Sequence, residues 1–154
     1  MQTPLKSMQG WQATFNGHHW EHDLIDRLRR HGYQQWGAPP SLIPEPYFVH
    51  QCRDMFQSIY DTPLTLDLYI YHPWKHPEGL IIEGKYQENN GSVDEKFPYV
   101  VENLKSTGKR CILMLLGGGA RKEAIRWCLK QQDEKLGVMT SWDEWVRLLN
   151  NGLL

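Results

Sequence analysis

Three polar side chains recur at every second position near the middle of the chain. They are Glu83, Lys85 and Gln87, in the segment LIIEGKYQ. Because successive side chains of a β-strand point to opposite faces, these three would project together from one face of a strand. Taken alone, a Glu–Lys pair at this spacing is more often a solvated sheet face. Its chemical interest depends on what lies beside it.

A second carboxylate lies on the strand predicted just before. Over residues 64–71, LTLDLYIY, apolar residues alternate with others, and Asp67 points away from the leucines on either side. If the two strands pair as a hairpin, Asp67 lies beside Glu83. Two ionised carboxylates repel each other, and a hard divalent cation with oxygen ligands removes that cost. We therefore predict a Mg²⁺ site at Asp67 and Glu83, with Lys85 offsetting part of the charge.

A third acid, Glu21, lies in a helix predicted over residues 18–30. Its spacing puts it on or beside the apolar stripe of that helix, where a carboxylate needs a partner. A place in the first turn, where an acid suits the helix dipole, is the plainer explanation. The functional explanation is that the helix packs on the sheet and points Glu21 toward Asp67 and Glu83.

The remaining patterns predict the elements that would position these residues. In chain order they are an irregular arm over 1–17, the helix over 18–30, a proline-rich connector over 33–46, strands over 47–53, 64–71 and 80–87 with a turn over 72–79, a polar loop over 88–92, a helix over 93–106, a buried strand over 109–116, a helix over 120–132, a strand over 137–139 and a last helix after Ser141. Ser141 and Glu144 form a capping box for that helix, and Trp142 and Trp145 lie on its apolar stripe. This order predicts an α/β fold with a central mixed sheet flanked by helices.

The composition limits the class of protein. The chain has 154 residues, 40% of them hydrophobic and 23% charged, which predicts one globular domain. A net charge of -1 excludes a protein that coats nucleic acid without specificity, so any nucleic-acid surface must be a local patch. Three cysteines without a CxxC pair, no apolar leader and no membrane-length apolar run predict a cytoplasmic protein with no membrane segment.

The segment LTLDLYIYHPWKHPEGLIIEGKYQ resembles the signature of PD-(D/E)XK nucleases. Asp67 matches its isolated acid, and Glu83-Gly84-Lys85 match its ExK half. The segment WEHDLIDRLRRHGY resembles the first core helix of that superfamily, in which a glutamate often joins the site. The predicted order resembles its restriction endonuclease-like αβββαβ core over about residues 18–140. The sequence departs from the written motif because Leu66, not proline, precedes Asp67.

The resemblance implies a metal-dependent DNA endonuclease that hydrolyses phosphodiester bonds, of restriction, homing or repair type. Asp67 and Glu83 would bind one or two Mg²⁺ ions, for which Mn²⁺ can substitute, and the carbonyl of Gly84 would be a further ligand. Cutting both strands with one small site per chain would need a homodimer or a higher homo-oligomer.

The resemblance also implies roles for other polar residues. Lys85 would orient or deprotonate the nucleophile, Gln87 would position a water molecule or a phosphate oxygen, and Glu21 would bind a second ion or act through water around the first. Candidates for contacts with the nucleic acid are Ser92, Lys96, Lys105, Lys109, Arg121 and Lys122. For the first four, a solvated loop or face is the plainer explanation.

Several alternatives stay open. A catalytically silent binding or accessory module with the same fold is one, although such a module has no physical reason to keep a repelling acid pair. A nuclease that acts on RNA is another. His18 and His22 have a spacing that can bind zinc on a helix, but exposed or capping histidines explain them better. Glycines 117–119 are better explained by a tight turn than by a phosphate cradle.

Overall fold

The computed structural model describes residues 19–40, 45–87 and 94–154. Its elements are α1 (His19–Arg30), β1 (Gln34–Trp36), β2 (Tyr47–Gln57), β3 (Pro63–His72), β4 (His76–Tyr86), a 3-10 turn (Asp94–Lys96), α2 (Phe97–Ser106), β5 (Arg110–Leu116), α3 (Lys122–Lys130), β6 (Leu136–Met139) and α4 (Trp142–Asn150). The predicted arm over 1–17, the loop over 88–92 with Ser92, and His18 lie outside the described residues. In the described part of the chain, no helix has the length and apolar character needed to cross a membrane.

The six strands form one mixed sheet in chain order. β2, β3 and β4 are an antiparallel meander, whereas β1 runs parallel to β2, and β5 and β6 run parallel to β4. The predicted αβββαβ order corresponds to α1, β2, β3, β4, α2 and β5. The predicted α/β class, with a central mixed sheet and flanking helices, is therefore confirmed.

Apolar side chains pack on both faces of the sheet. The first core lies under α1 and α4, and its largest members are Trp20, Leu24, Leu28, Phe48, Leu68, Ile82 and Trp145. The second core lies under α2 and α3, and its members include Val49, Tyr69, Ile81, Phe97, Leu104, Leu113 and Cys128. Helices on both faces explain why β5 is apolar almost throughout: neither of its faces meets water.

Three strand boundaries differ from the sequence prediction. The connector over 33–46 contains β1, an exposed three-residue edge strand that has no apolar pattern to reveal it. β2 continues past Arg53 to Gln57 because a bulge lets the strand bend and pair again. β4 begins at His76, within the stretch predicted as a turn. Its Pro77 is tolerated because the ladder there is irregular.

The helices agree more closely with prediction. The helix predicted over 93–106 is described from Asp94 onward, where a 3-10 turn is followed by α2. Pro98 lies in the first turn of α2, where its missing N–H costs nothing. α3 is shorter at both ends than the predicted 120–132. The cap of α4 is confirmed, since Ser141 Oγ accepts the Glu144 N–H at 3.2 Å and Trp145 is fully buried. The other bond of the predicted capping box differs: the Glu144 carboxylate accepts the N–H of Thr140, one residue before Ser141, and not that of Ser141 itself.

Candidate functional site

The hairpin of β3 and β4 brings the two predicted carboxylates together. The paired register runs as far as Leu68 opposite Ile82, so the next positions along the two strands are Asp67 and Glu83. There, side chains replace backbone pairing. Glu83 Oε2 accepts the Asp67 N–H at 2.9 Å, and Asp67 Oδ2 accepts the Gly84 N–H at 2.8 Å. The expected neighbourhood of Asp67 and Glu83 is thus present, at the point where the two strands separate.

The chain opposite Asp67 is irregular as well. Gln51 on β2 lies between the pairs that join His50 to Leu68 and Cys52 to Leu66, and its φ of 50° is left-handed. The strict alternation predicted over 64–71 is wrong for this reason. Leu66 packs in the second core, whereas Leu68 packs in the first. A left-handed φ in a residue other than glycine costs about 1 kcal/mol or more, and such strain concentrates at functional sites.

Lys85 lies on the same face as Glu83, as the period of two predicts. Its ammonium nitrogen is 2.5 Å from Glu83 Oε1. Glu83 is buried, so both of its carboxylate oxygens have a donor from the protein: the backbone of Asp67 and the side chain of Lys85. Lys85 is only half-buried, and 29% of its side chain is exposed.

Gly84, between these two residues, is required by the packing of α1. A methyl group added at Gly84 would lie 2.4 Å from the Trp20 indole, far inside normal contact distance. Trp20 is fully buried and cannot move aside cheaply. The absent side chain therefore lets the start of α1 approach β4 closely, and this approach carries Glu21, the next residue, toward the carboxylates.

Glu21 is buried and paired with a residue that sequence reasoning missed. Its Oε2 is 2.7 Å from Nε2 of His50 on β2. His50 follows the apolar Tyr47–Val49 stretch, and by the alternation of β2 it shares a face with Phe48, which packs under α1. The sequence contained a signal for this pair: a histidine on the strand face that packs against a helix, and a buried acid in that helix.

Burial and like charge act together on Asp67. Desolvation raises the pKa of this carboxyl most, followed by the negative charge of Glu83, and Glu21 adds to the effect. The Gly84 N–H and the Lys85 ammonium oppose the shift, but the pKa of Asp67 still rises to about 7. Near neutral pH this site therefore holds either a proton on Asp67 or one more negative charge, and a cation can replace the proton.

The donor set fits a small hard cation. Mg²⁺ is commonly bound through one or two carboxylates and keeps several of its waters. Asp67 and Glu83 supply such a pair. Within residues 19–40, 45–87 and 94–154, no group of three or more His, Cys, Asp or Glu side chains closes around one point, so Glu21 stays with His50 and does not complete a ligand set. The roles of Gly84 as a ligand and of Glu21 at a second ion stay predictions.

Gln87 contacts the glycine turn after β5. Its side-chain amide donates to the Gly119 carbonyl at 3.3 Å, and the backbone carbonyl of Gln87 accepts the Gly119 N–H at 2.7 Å. Gly117 has a φ of 94°, and a methyl group there would lie 2.4 Å from the Gln87 carbonyl. The tight turn predicted over 117–119 is confirmed. Contact with this turn gives Gln87 a structural role, and its predicted role toward water or phosphate stays a prediction.

The basic candidates divide between the two ends of the sheet. Lys96, Arg121 and Lys122 lie in segments that follow β4 and β5, at the end where the carboxylates are. Arg121 is tied to the buried Asp94 at 3.3 Å but stays largely exposed. Lys105 pairs with Asp133 at 3.4 Å and, with Lys109, lines a cavity at the start of β5, which is the opposite end. The structure therefore does not bring these last two lysines to the carboxylates.

Comparison with known proteins agrees with this geometry. The family model of the PD-(D/E)XK nuclease superfamily domain matches residues 12–150 of the 154. No curated protein and no solved structure matches the chain. Members of this superfamily are generally nucleases, and they typically use divalent metal ions. With a match over most of its length and the acid–acid–lysine arrangement at the expected positions, this chain belongs to the PD-(D/E)XK nuclease superfamily.

Proposed function

We propose that this protein is a metal-dependent DNA endonuclease that hydrolyses phosphodiester bonds, with Mg²⁺ as its cofactor. One observation carries the proposal. Asp67 and Glu83 exchange side-chain to backbone hydrogen bonds across a separating hairpin, and Lys85 contacts the second of them. Hydrolysis of a phosphodiester in this class needs acidic ligands for a cation and a cationic group beside them. The residues at this end of β4 support both requirements.

The carboxylates would bind the ion. Asp67 uses Oδ2 for the Gly84 N–H, so its other oxygen would bind the cation, and Glu83 would add negative charge from the neighbouring strand. When bound, Mg²⁺ lowers the pKa of water and stabilises the charge that develops on the phosphate. The backbone bonds fix both carboxylates before the substrate arrives, so little reorganisation is needed during the reaction.

Lys85 would act on the reacting groups. Its ammonium group is held beside Glu83 at the half-buried end of β4. From there it can orient the attacking water or neutralise a non-bridging phosphate oxygen, and both contacts strengthen as charge builds on the phosphate. Glu21 contributes further negative charge near Asp67, and His50 keeps Glu21 in place. We therefore propose His50 as a positioning residue, and not as a group that touches the substrate.

The DNA backbone would lie along the basic segments at the same end of the sheet. We propose phosphate contacts for Lys96, Arg121 and Lys122, which fit the local patch that a net charge of -1 requires. One such site cuts one strand at a time. For cleavage of both strands we propose a homodimer. Analytical sedimentation in the presence of duplex DNA would measure its mass.

The test is cleavage in Mg²⁺ of plasmid, linear duplex, single-stranded and branched DNA, with matched RNA substrates. Wild type is compared with Glu83→Ala and Lys85→Ala. Glu78→Ala is the control, because Glu78 is an exposed glutamate at the other end of the same strand. We expect cleavage by wild type and the control, a loss of about 10³-fold in the two site variants, and no cleavage in chelator.

Two results would overturn the proposal. A wild-type protein inert on every substrate would favour a silent binding module. Equal activity in wild type, Glu83→Ala and Lys85→Ala would show that the chemistry lies elsewhere. Cleavage of RNA alone would keep the mechanism but replace the substrate.

A further inference from the structure

The turn that joins β2 to β3 is a closed, rigid structure. Ser58 N–H donates to the Thr62 carbonyl at 2.8 Å, and the two hydroxyl groups of these residues are 2.7 Å apart. The Tyr60 N–H donates to the Ser58 hydroxyl at 3.2 Å. Side-chain hydroxyls that bond the backbone in this way hold a turn in one conformation. The tip of this hairpin therefore has a fixed shape.

The same turn is clamped to α2. Asn103, a fully buried residue of that helix, accepts the Ile59 N–H through its side-chain oxygen at 2.8 Å. The ring of Tyr60 stacks on that of Tyr99, in the first turn of the helix, with centroids 5.4 Å apart and planes 22° from parallel. Both the backbone and the ring of the turn are thus fixed relative to α2.

This stacked pair presents aromatic surface to solvent. Tyr60 is 71% exposed and Tyr99 37%, and the neighbouring Ile59 is also exposed. Because Tyr99 covers one face of the Tyr60 ring, much of the exposure belongs to the other face. We call Ile59, Tyr60 and Tyr99 the tyrosine platform. Its rotamers are already ordered, so a ring that stacked on it would pay little of the usual entropic cost.

The tyrosine platform lies at the same end of the sheet as the carboxylates. β3 begins at Pro63, directly after the turn, and reaches Asp67 four residues later, which is about 13 Å along a strand. β4 runs antiparallel to β3, so its end, with Lys85, points to the same side. A strand of nucleic acid held at the carboxylates can therefore extend over the tyrosine platform.

We propose that the tyrosine platform binds an unpaired base of the DNA substrate, stacked on the free face of Tyr60. This inference rests on the proposed function and narrows its substrate to DNA with an unpaired segment beside the cut. A base inside a duplex already has a neighbour on each face, whereas an unpaired base has a face to offer. Stacking on an aromatic side chain accepts any base, so this contact selects structure and not sequence.

Two features favour a base over other occupants. Three side chains are far fewer than the 20 to 30 residues per partner, roughly, that a specific protein interface needs. The charged residues beside the rings are mixed in sign: Lys96 is basic, whereas Asp61 and Glu102 are acidic. The rings themselves carry no charge, so they do not attract a phosphate as Lys96 does. A neutral, flat, apolar group suits the surface better, and its contribution to binding would depend little on salt.

The experiment measures binding of two DNAs in chelator, where no hydrolysis is expected. One is a duplex with a short unpaired arm that contains 2-aminopurine, and the other is a blunt duplex of equal length. Wild type is compared with Tyr60→Ala and Tyr60→Phe. Trp74→Ala is the matched control, because Trp74 is 87% exposed on the turn at the opposite end of β3. Thermal unfolding checks that each variant is folded.

We expect Tyr60→Ala to bind the armed DNA roughly 5- to 150-fold more weakly and the blunt duplex almost unchanged. Wild type, Tyr60→Phe and Trp74→Ala should quench the 2-aminopurine fluorescence, and Tyr60→Ala should not. Equal binding by wild type and Tyr60→Ala would overturn the proposal, as would a loss of dimer in Tyr60→Ala with DNA binding intact. The binding measurement needs no hydrolysis, so the two proposals can fail separately. Stacking without cleavage in Mg²⁺ would refute only the proposed nuclease activity. Cleavage without stacking would refute only the proposed binding of a base to the tyrosine platform.

Discussion

The two ends of β4 bury polar groups in different ways. At its start, His76 is buried with Nε2 2.6 Å from the Leu153 carbonyl, and the neighbouring Lys75 ammonium donates to the Leu154 carbonyl. Burial lowers the pKa of His76, so the ring is neutral and needs no counter-charge. At its end, Glu83 and Asp67 lie together with Lys85, and burial raises the pKa of Asp67 to about 7.

The difference separates a polar group with a structural contact from a cluster for which we propose a function. A neutral ring that meets a backbone carbonyl brings no charge that must be balanced. A cluster of like charges is satisfied only when a proton or a cation joins it. The same strand thus contains a neutral arrangement and a charged one, and for the charged one we propose a cation as the ligand. Substitutions at one end of β4 can therefore be compared with matched substitutions at the other end.

The largest effect is expected from removing one titratable group at each end. Glu83→Gln takes away half of the carboxylate pair, and we expect cleavage to fall about 10³-fold with the fold intact. His76→Gln should lower the free energy of unfolding by about 1–3 kcal/mol, yet leave the rate per folded molecule unchanged. Steady-state cleavage and urea unfolding measure the two. A comparable loss of activity in both variants would show that the two ends of β4 do not differ in their role in cleavage.

The glycines of β4 give a second matched pair. Gly84→Ala would press a methyl group into Trp20, and Gly79→Ala would press one into the Tyr69 ring at a φ of 86°. Both changes should cost about 1–3 kcal/mol of stability. Only Gly84→Ala should also lower cleavage, about 100-fold, because it displaces the carboxylates on either side.

The second substitution Trp20→Phe makes room for the new methyl group, and it should restore part of the activity of Gly84→Ala. Thermal unfolding and cleavage assays of the single and double variants measure these effects. If Trp20→Phe restores nothing, the packing of α1 is not what positions the site.

Substitution of His50 tests whether residues beyond β3 and β4 affect the carboxylate site. It contacts Glu21 at 2.7 Å and lies on β2, one strand beyond Asp67. If it acts by holding Glu21, His50→Ala should lower activity about 10- to 100-fold and raise the Mg²⁺ concentration needed for half-maximal rate. His50→Gln, which can still donate to Glu21, should recover most of both. A change in maximal rate with no change in metal requirement would contradict the positioning role.

The sequence allowed much of this fold to be predicted, because most of its elements have regular patterns. The hairpin, the buried β5 and the cap of α4 follow from alternation, apolar runs and Ser141. β1 escaped prediction because edge pairing needs no apolar side chains, and β2 was cut short because its bulge breaks the pattern at residues with left-handed φ. Both failures are cases where tertiary pairing overrides the local signal.

The candidate site was predicted in part. Alternation and the ExK spacing placed Glu83, Lys85 and Asp67 together. They could not reveal that Asp67 bonds the Gly84 backbone, or that His50 holds Glu21, since both depend on how three separate elements meet. Gln87 shows the opposite limit. Period two put it in line with Glu83 and Lys85, but the tight turn after β5 binds its amide.

The smallest effect concerns the charge at Asp67 itself. Its pKa is raised from the ordinary 3.8 to about 7, so the folded protein holds a proton that the unfolded chain has lost. The resulting stability is complete below about pH 4 and disappears as the pH rises through 7. Asp67→Asn has no carboxyl proton to lose. In chelator, we expect it to be more stable than wild type at about pH 8, by on the order of 1–2 kcal/mol, and to show little difference at about pH 4.

The comparison between the ends of β4 then has a thermodynamic test. Saturating Mg²⁺ should stabilise wild type at about pH 8 and leave Asp67→Asn nearly unaffected, because the ion replaces the proton at that carboxylate. Thermal unfolding over this pH range, with chelator or with Mg²⁺, measures both effects without any substrate. A wild-type protein at least as stable as Asp67→Asn in chelator at about pH 8 would mean that the carboxylates are satisfied within the protein. The end of β4 with Asp67 and Glu83 would then need a cation no more than the end with His76 does, and the proposed metal site would be refuted.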